Sequence, residues 1–132
     1  MAEPEVIPIV AEADVVHVRQ VVRARATELR FSLVDQTKLV TAASELARNA
    51  LNYGGGGRAE IQVVSSGSRR GLRVVFVDEG PGIPNVAEAM RDGFTTGNGL
   101  GLGLGGAKRL VNEFEIESAV GKGTRIAITR WA

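Results

Sequence analysis

No cysteine occurs in the 132 residues, which removes a disulfide framework and every thiolate metal site from consideration. Histidine occurs once, as His17, so neither a Ser-His-Asp triad nor a multi-histidine metal site has material to build from. Aromatic residues make up only 5% of the chain, too few for the stacking platforms that bind single-stranded nucleic acid. The formal charge is +1 and no long basic run is present, so electrostatics gives no case for DNA, RNA or an acidic membrane. No apolar stretch approaches the roughly 20 residues that span a bilayer. The opening Met1-Ala-Glu-Pro-Glu5 is acidic and lacks the basic-then-apolar order of a secretion signal. The expectation is a cytoplasmic protein with no nucleic-acid and no membrane partner.

Glycine, by contrast, is abundant, at 17 residues, and 44% of the chain is hydrophobic. That length and apolar content predict one domain, residues 1–132, with a real core. Residues 6–10 read as a strand whose proline suits a sheet edge. Asp14 is placed to cap a helix with Val15, Val18, Val22, Ala26 and Leu29 on one face. A second helix after residues 31–35 carries Leu39, Ala43, Leu46 and Ala50, and stops at the glycines of Tyr53-Gly-Gly-Gly-Gly57. Residues 59–64 and 72–78 predict a hairpin with 65–71 as its loop. Asn85 and Glu88 resemble a capping pair for a short helix ending near Gly93, and a further helix is expected over about 103–112. Residues 115–118 and 124–130 close the chain as another hairpin. The order β-α-α-β-β-(short α)-α-β-β predicts a two-layer α/β sandwich, helices on one face of a mixed, largely antiparallel sheet.

Four short segments carry the chemistry. In Glu45-Leu-Ala-Arg-Asn49 the two polar ends are one helical turn apart and share a face. A carboxylate there can take a proton from an attacking hydroxyl, and the amide oxygen can bind Mg²⁺. Alone, this spacing is far more often a solvated helix face. Asp78-Glu-Gly-Pro-Gly82 follows the apolar run Val74-Val-Phe-Val77. An acid at the end of a buried strand can accept from the exocyclic amine of adenine, while Gly80 and Gly82 let a flat base approach the backbone. A plain strand-ending turn would not need both glycines and the flanking Pro81 and Pro84.

Gly99-Leu-Gly-Leu-Gly-Leu-Gly105 then runs into an expected helix. Leucines would anchor such a loop while Gly99, Gly101, Gly103 and Gly105 expose amides to phosphate oxygens. A dinucleotide fold would need a strand directly ahead, and Phe94-Thr-Thr-Gly-Asn98 is none. The H-R-D and D-F-G elements of eukaryotic-type kinases and the P-loop pattern are missing as well. Finally Gly121-Lys-Gly-Thr124 opens the last strand, where the Thr124 hydroxyl could bridge to Asp78 and the adenine. Together the pieces predict a site for ATP and Mg²⁺.

In this order the segments resemble the GHKL (Bergerat-fold) ATPases. The resemblance covers nearly the whole chain and implies Glu45 as general base and Asn49 as Mg²⁺ ligand. It also implies Asp78 on the adenine amine, with the boxes Gly80/Gly82, Gly99/Gly101/Gly103 and Gly121/Gly123/Thr124 around the nucleotide. Within that family the chain is most similar to small bacterial serine/threonine kinases of the anti-sigma and stressosome type. The stretches carrying this are Glu45-Leu-Ala-Arg-Asn49, Asp92-Gly-Phe-Thr-Thr96, residues 105–114 and Arg130-Trp131. The implied activity is ATP-dependent phosphorylation of Ser or Thr on a STAS-domain partner, followed by binding of a PP2C-type phosphatase. The alternative is an anti-sigma factor that mainly sequesters a sigma factor and releases it by phosphorylation. A detached histidine-kinase catalytic domain fits less well: the segment 83–98 is short for such a lid, and His17 is isolated.

Overall fold

The structure, a computed structural model, describes residues 3–83, 85–90 and 103–132. The chain order is β1 (Glu5–Ile9), α1 (Glu12–Glu28), α2 (Leu33–Asn52), β2 (Gly57–Ser66), β3 (Arg69–Asp78), α3 (Val86–Ala89), α4 (Gly103–Arg109), β4 (Glu113–Ala119) and β5 (Gly123–Trp131). The strands form one sheet in the order β1-β2-β3-β5-β4. All its pairings are antiparallel, so the expected mixed sheet has no parallel pair among the described residues.

Alternation within the strands explains the two layers. Ile7 and Ile9, Ala59 and Ile61, Leu72, Val74 and Phe76, and Ile126 and Ile128 are all buried and join one cluster. From the helices this cluster takes Val15, Val18, Val22 and Ala26 of α1, and Leu39, Ala43, Leu46 and Ala50 of α2. The expected helical stripes are therefore the faces that pack on the sheet. The opposite sheet face is covered by charged side chains, with ion pairs Arg58–Glu60, Arg73–Glu115 and Arg125–Glu117.

The structure changes several details. Asp14 does not occupy the cap of α1; that position is Ala11. Asp14 sits inside the first turn, and its Oδ2 accepts from the backbone N–H groups of Val10 and Ala11, each at 2.9 Å. It therefore reaches back from the third helical position to the amides of the cap residue and the residue before it, the reverse half of a capping box. The loop expected over 65–71 is mostly ladder, because Ser65 pairs with Arg70 and Ser66 with Arg69. Backbone pairing does not need apolar side chains, so polar composition misplaced the turn, which lies at Gly67 with φ 62°. Pro8 lies on an edge strand, as its missing N–H requires. The expected end of the short helix near Gly93 lies outside the described residues.

Arg130 ties the layers together at the end of the sheet remote from β1. Its Nη2 donates to Asp35 in the first turn of α2, and its Nη1 donates to the carbonyl of Leu110 just past α4, at 2.9 Å. The guanidinium hydrogen bond holds the Asp35 carboxyl below its usual range. Since the folded value is depressed, the contribution is fully present above the unfolded-state pKa of about 3.9 and is lost as pH falls through the folded value. Asp35→Asn is expected to lower the urea midpoint at pH 7, with the gap to wild type closing as pH falls from about 5 toward 2. A gap independent of pH would remove the ion pair as its cause.

Candidate functional site

The site begins where the apolar rows of the sheet end. Across the strands, Ala59, Phe76, Ile126 and Ile116 are mutual neighbours on the helix-facing side. The next row outward is Gly57, Asp78, Thr124 and Ser118. Cross-strand neighbours project to the same face, so an acid and two hydroxyls continue a hydrophobic floor. Above them lies the C-terminal part of α2. Between the two is a cavity of about 470 Å³, walled by Leu46, Asn49 and Ala50 of α2, by Tyr53 and Gly54, and by Phe76 and Asp78 of β3. Gly82 and Ile83, Asn85 and Ala89, Gly103 and Leu104, and Thr124 and Ile126 close it. The lining is apolar at the centre with a few convergent polar groups, the usual composition of a small-molecule site.

Asp78 is held from several sides. Its Oδ1 accepts from the Gly80 N–H at 3.0 Å. A Cβ on Gly54 would lie 2.4 Å from the Asp78 carboxyl carbon, and one on Gly80 would lie 2.6 Å from the Gly54 Cα. Gly54 and Gly80 thus pack directly on each other beside the carboxylate, at separations that leave no room for a Cβ on either. The third glycine segment packs as closely on the first: a Cβ on Gly82 would lie 2.1 Å from the Ala119 carbonyl oxygen. Gly121 N–H donates to the Pro81 carbonyl at 2.8 Å, and Ile83 N–H donates to Ser118 Oγ at 2.8 Å.

Glu45 is half-buried one turn before Asn49 on α2, and its Oε1 accepts from the Gly103 N–H at 2.8 Å. The carboxylate expected to take a proton and an amide expected to face phosphate therefore touch each other here. Asn49, Asp78, Gly82, Gly103 and Thr124 line the same cavity. Gly80 does not line it and acts through the Asp78 carboxylate instead. Gly105 differs from expectation: it is buried within α4 and does not line the cavity, because the helix has begun by Gly103 and turns that residue inward. Gly99 and Gly101 lie outside the described residues.

Sequence reasoning missed Gly54, Tyr53, Asn85 and Ser118. For Gly54 a signal existed, since one glycine suffices to end a helix and residues 54–57 supply four. Ser118 carried no signal, as a serine in an amphipathic strand is unremarkable until its register is known.

Comparison with known proteins places this geometry. The Histidine kinase-, DNA gyrase B-, and HSP90-like ATPase family matches residues 34–131. Serine/threonine-protein kinase RsbT of Bacillus subtilis is 44% identical over 131 residues, spanning 99% of this chain and 98% of that protein. An anti-sigma F factor of Thermoanaerobacter sp. is 31% identical over 119 residues, covering 86% of this chain and 82% of the relative. Among solved structures, the RsbU and RsbW domains of a Mycobacterium tuberculosis protein superpose with a TM-score of 0.67 at 22% identity. That match covers 98% of this chain and 32% of the other.

The glycine contacts make a separable prediction. Gly54→Ala meets no backbone strain of its own but must push the Asp78 side chain aside, so it should weaken nucleotide binding at least tenfold, roughly one lost hydrogen bond to a charged group, beyond any loss of stability. Gly55→Ala meets nothing within 4 Å but sits at φ 74°. It should cost about 1 kcal/mol of stability and leave nucleotide affinity unchanged. Calorimetric titration beside urea unfolding of both variants distinguishes the effects.

Proposed function

The chain belongs to the histidine kinase-, DNA gyrase B- and HSP90-like ATPases, and on that footing we propose that it is an ATP-dependent serine/threonine protein kinase working by partner switching. It transfers the γ-phosphate of ATP to a Ser or Thr hydroxyl of a STAS-domain regulatory protein, and afterwards engages a PP2C-type phosphatase. One observation carries the reading: Asn49 of α2, Asp78 of β3 and Thr124 of β5, far apart in sequence, wall a common cavity. The end-to-end identity of 44% with a serine/threonine-protein kinase supports a protein hydroxyl, rather than water, as the acceptor. ATP as substrate also favours the cytoplasm as the working compartment.

In this reading the apolar centre of the cavity, with Phe76, Ile126 and Leu46, takes the purine, and the Asp78 carboxylate accepts from its amine. Asn49 offers one neutral oxygen at the opposite wall. That suits magnesium, a hard cation that keeps waters and phosphate oxygens as its remaining ligands. When bound, the ion would neutralise charge on the phosphate oxygens. Glu45, oriented through its bond to Gly103, takes the proton of the acceptor hydroxyl as the new P–O bond forms and the bond from the γ-phosphorus to the bridging oxygen breaks, releasing ADP. Little covalent chemistry falls to the protein, so positioning and charge supply most of the rate.

A second reading has a specific observation behind it, the 31% identity to an anti-sigma F factor. There the main act would be sequestration of a sigma factor, with phosphorylation controlling release. Recovery of a sigma factor in a pull-down, without labelled transfer to any STAS-domain protein, would favour it.

Incubation with radiolabelled ATP and candidate STAS-domain proteins tests the first reading directly. Glu45→Gln keeps an oxygen for the Gly103 amide but loses the base, so transfer should fall by about 10²–10⁴-fold with ATP affinity little changed. Asp78→Asn should instead weaken ATP binding itself, by about 1.5–3 kcal/mol. Normal turnover in the Gln variant would strip Glu45 of its role, and unchanged calorimetric affinity in the Asn variant would do the same for Asp78.

A further inference from the structure

A hydroxyl carries one proton and two lone pairs, and Ser118 has three neighbours competing for them. Ile83 N–H donates to Ser118 Oγ at 2.8 Å, the Gly123 carbonyl oxygen lies at 3.1 Å, and Thr124 Oγ1 lies at 2.8 Å. The amide can only donate and the carbonyl can only accept. Satisfying all three contacts at once therefore leaves one arrangement. The Ser118 proton goes to Gly123, one Ser118 lone pair serves Ile83, and the other receives the proton of Thr124. Thr124 then turns its proton away from the cavity it lines and presents lone pairs to it. Its neighbour across the β3–β5 ladder, Asp78, has one oxygen engaged by Gly80 and is an acceptor as well.

We propose that Ser118 is a specificity-determining residue that works through Thr124: by holding the threonine proton, it makes the wall beside Asp78 a pair of acceptors with no donor. Such a wall suits a purine bearing an exocyclic amine, whose two N–H groups can serve both oxygens. A purine with a carbonyl at that position brings lone pairs against lone pairs and offers only its ring N–H beside it, so the two protein oxygens share one donor where the amine supplied two. Sites built to pair a substrate N–H reject the analogue lacking it for this reason. The inference rests on the ATP reading above and deepens it, since it assigns the choice of base to a residue that does not line the cavity. Removal of the Ser118 hydroxyl would free Thr124 to rotate and donate to a carbonyl.

ATP and inosine triphosphate share ribose and phosphates, and inosine carries a carbonyl in place of the amine. Calorimetric Kd values for both nucleotides therefore isolate the effect. Wild type should prefer ATP, and Ser118→Ala should reduce the ATP-to-ITP preference about tenfold. Ser118→Thr, which restores a hydroxyl, should keep the preference. Thr124→Val should reduce it as Ser118→Ala does, and combining the two should change nothing further. If Ser118→Ala does not fold, Ser118→Cys retains the volume with only a weak donor and should show the same loss. Equal weakening of both nucleotides with the preference intact would leave Ser118 as a mere staple for Ile83 and overturn the proposal alone. A wild-type protein that binds ITP as tightly as ATP would overturn the adenine reading of Asp78, and this inference with it.

Discussion

The site depends on one constraint, the register of β3 against β5. That ladder sets Asp78 opposite Thr124, and the β4–β5 ladder sets Thr124 opposite Ser118. A slip of one residue would carry every side chain of β3 to the other face. Asp78 would then point among the arginines and glutamates of the open side, and Val77 would take its place under α2. The register is enforced by the apolar rows behind it: Phe76 beside Ile126, then Val74 beside Ile128, all buried. Core packing and placement of the polar row are thus the same event, and the acid needs no separate device to find the cavity.

Backbone proximity is the second requirement, and it explains the glycines better than flexibility does. Gly57 closes the polar row on the β2 side, where a Cβ would lie 2.0 Å from the Val77 carbonyl oxygen. On the other side a Cβ on Gly123 would lie 2.1 Å from the Asp78 carbonyl oxygen. Strand ends from three parts of the chain therefore meet main chain to main chain around a single carboxylate. The entropy lost in ordering so many glycines is offset by the narrow walls they create for a flat ligand.

The periodicities of both long helices were legible because each buries one continuous face: Val15, Val18, Val22 and Ala26 repeat at helical spacing, as do Leu39, Ala43, Leu46 and Ala50. The strands were legible at their apolar centres and not at their ends. Ser65, Ser66, Arg69 and Arg70 pair through main chain alone, and composition says nothing about that. Of the site, the polar residues at and beside the cavity could be read from short motifs, Glu45 and Asn49 one helical turn apart and Asp78 and Thr124 within glycine-containing turns. What the neighbouring residues do for them was not legible, even where a residue such as Gly80 was named. Gly54 matters for what it lacks, Ser118 for a register fixed only when five strands assemble, and Gly80 for an amide aimed back at its neighbour. Gly105 shows the converse, a motif glycine that is buried within α4 and does not line the cavity.

α2 joins the two halves of the site. Its middle holds Glu45, bonded to Gly103 at the start of α4, and its next turn holds Asn49 over the cavity. The far end of α4 returns to the same helix by another route, because Arg130 grips the Leu110 carbonyl with one nitrogen and Asp35 with the other. α4 is therefore tied to α2 at both ends, once through the Glu45 carboxylate and once through the Arg130 guanidinium, which holds Asp35. A carboxylate has to be oriented before it can act as a base, and a glycine segment has to be positioned before its amides can meet phosphate. On the kinase reading proposed above, the Glu45–Gly103 bond does both with one contact. The Asp35–Arg130–Leu110 link holds the other end of α4, so α2, which carries Glu45, also sets where the second glycine segment enters the fold.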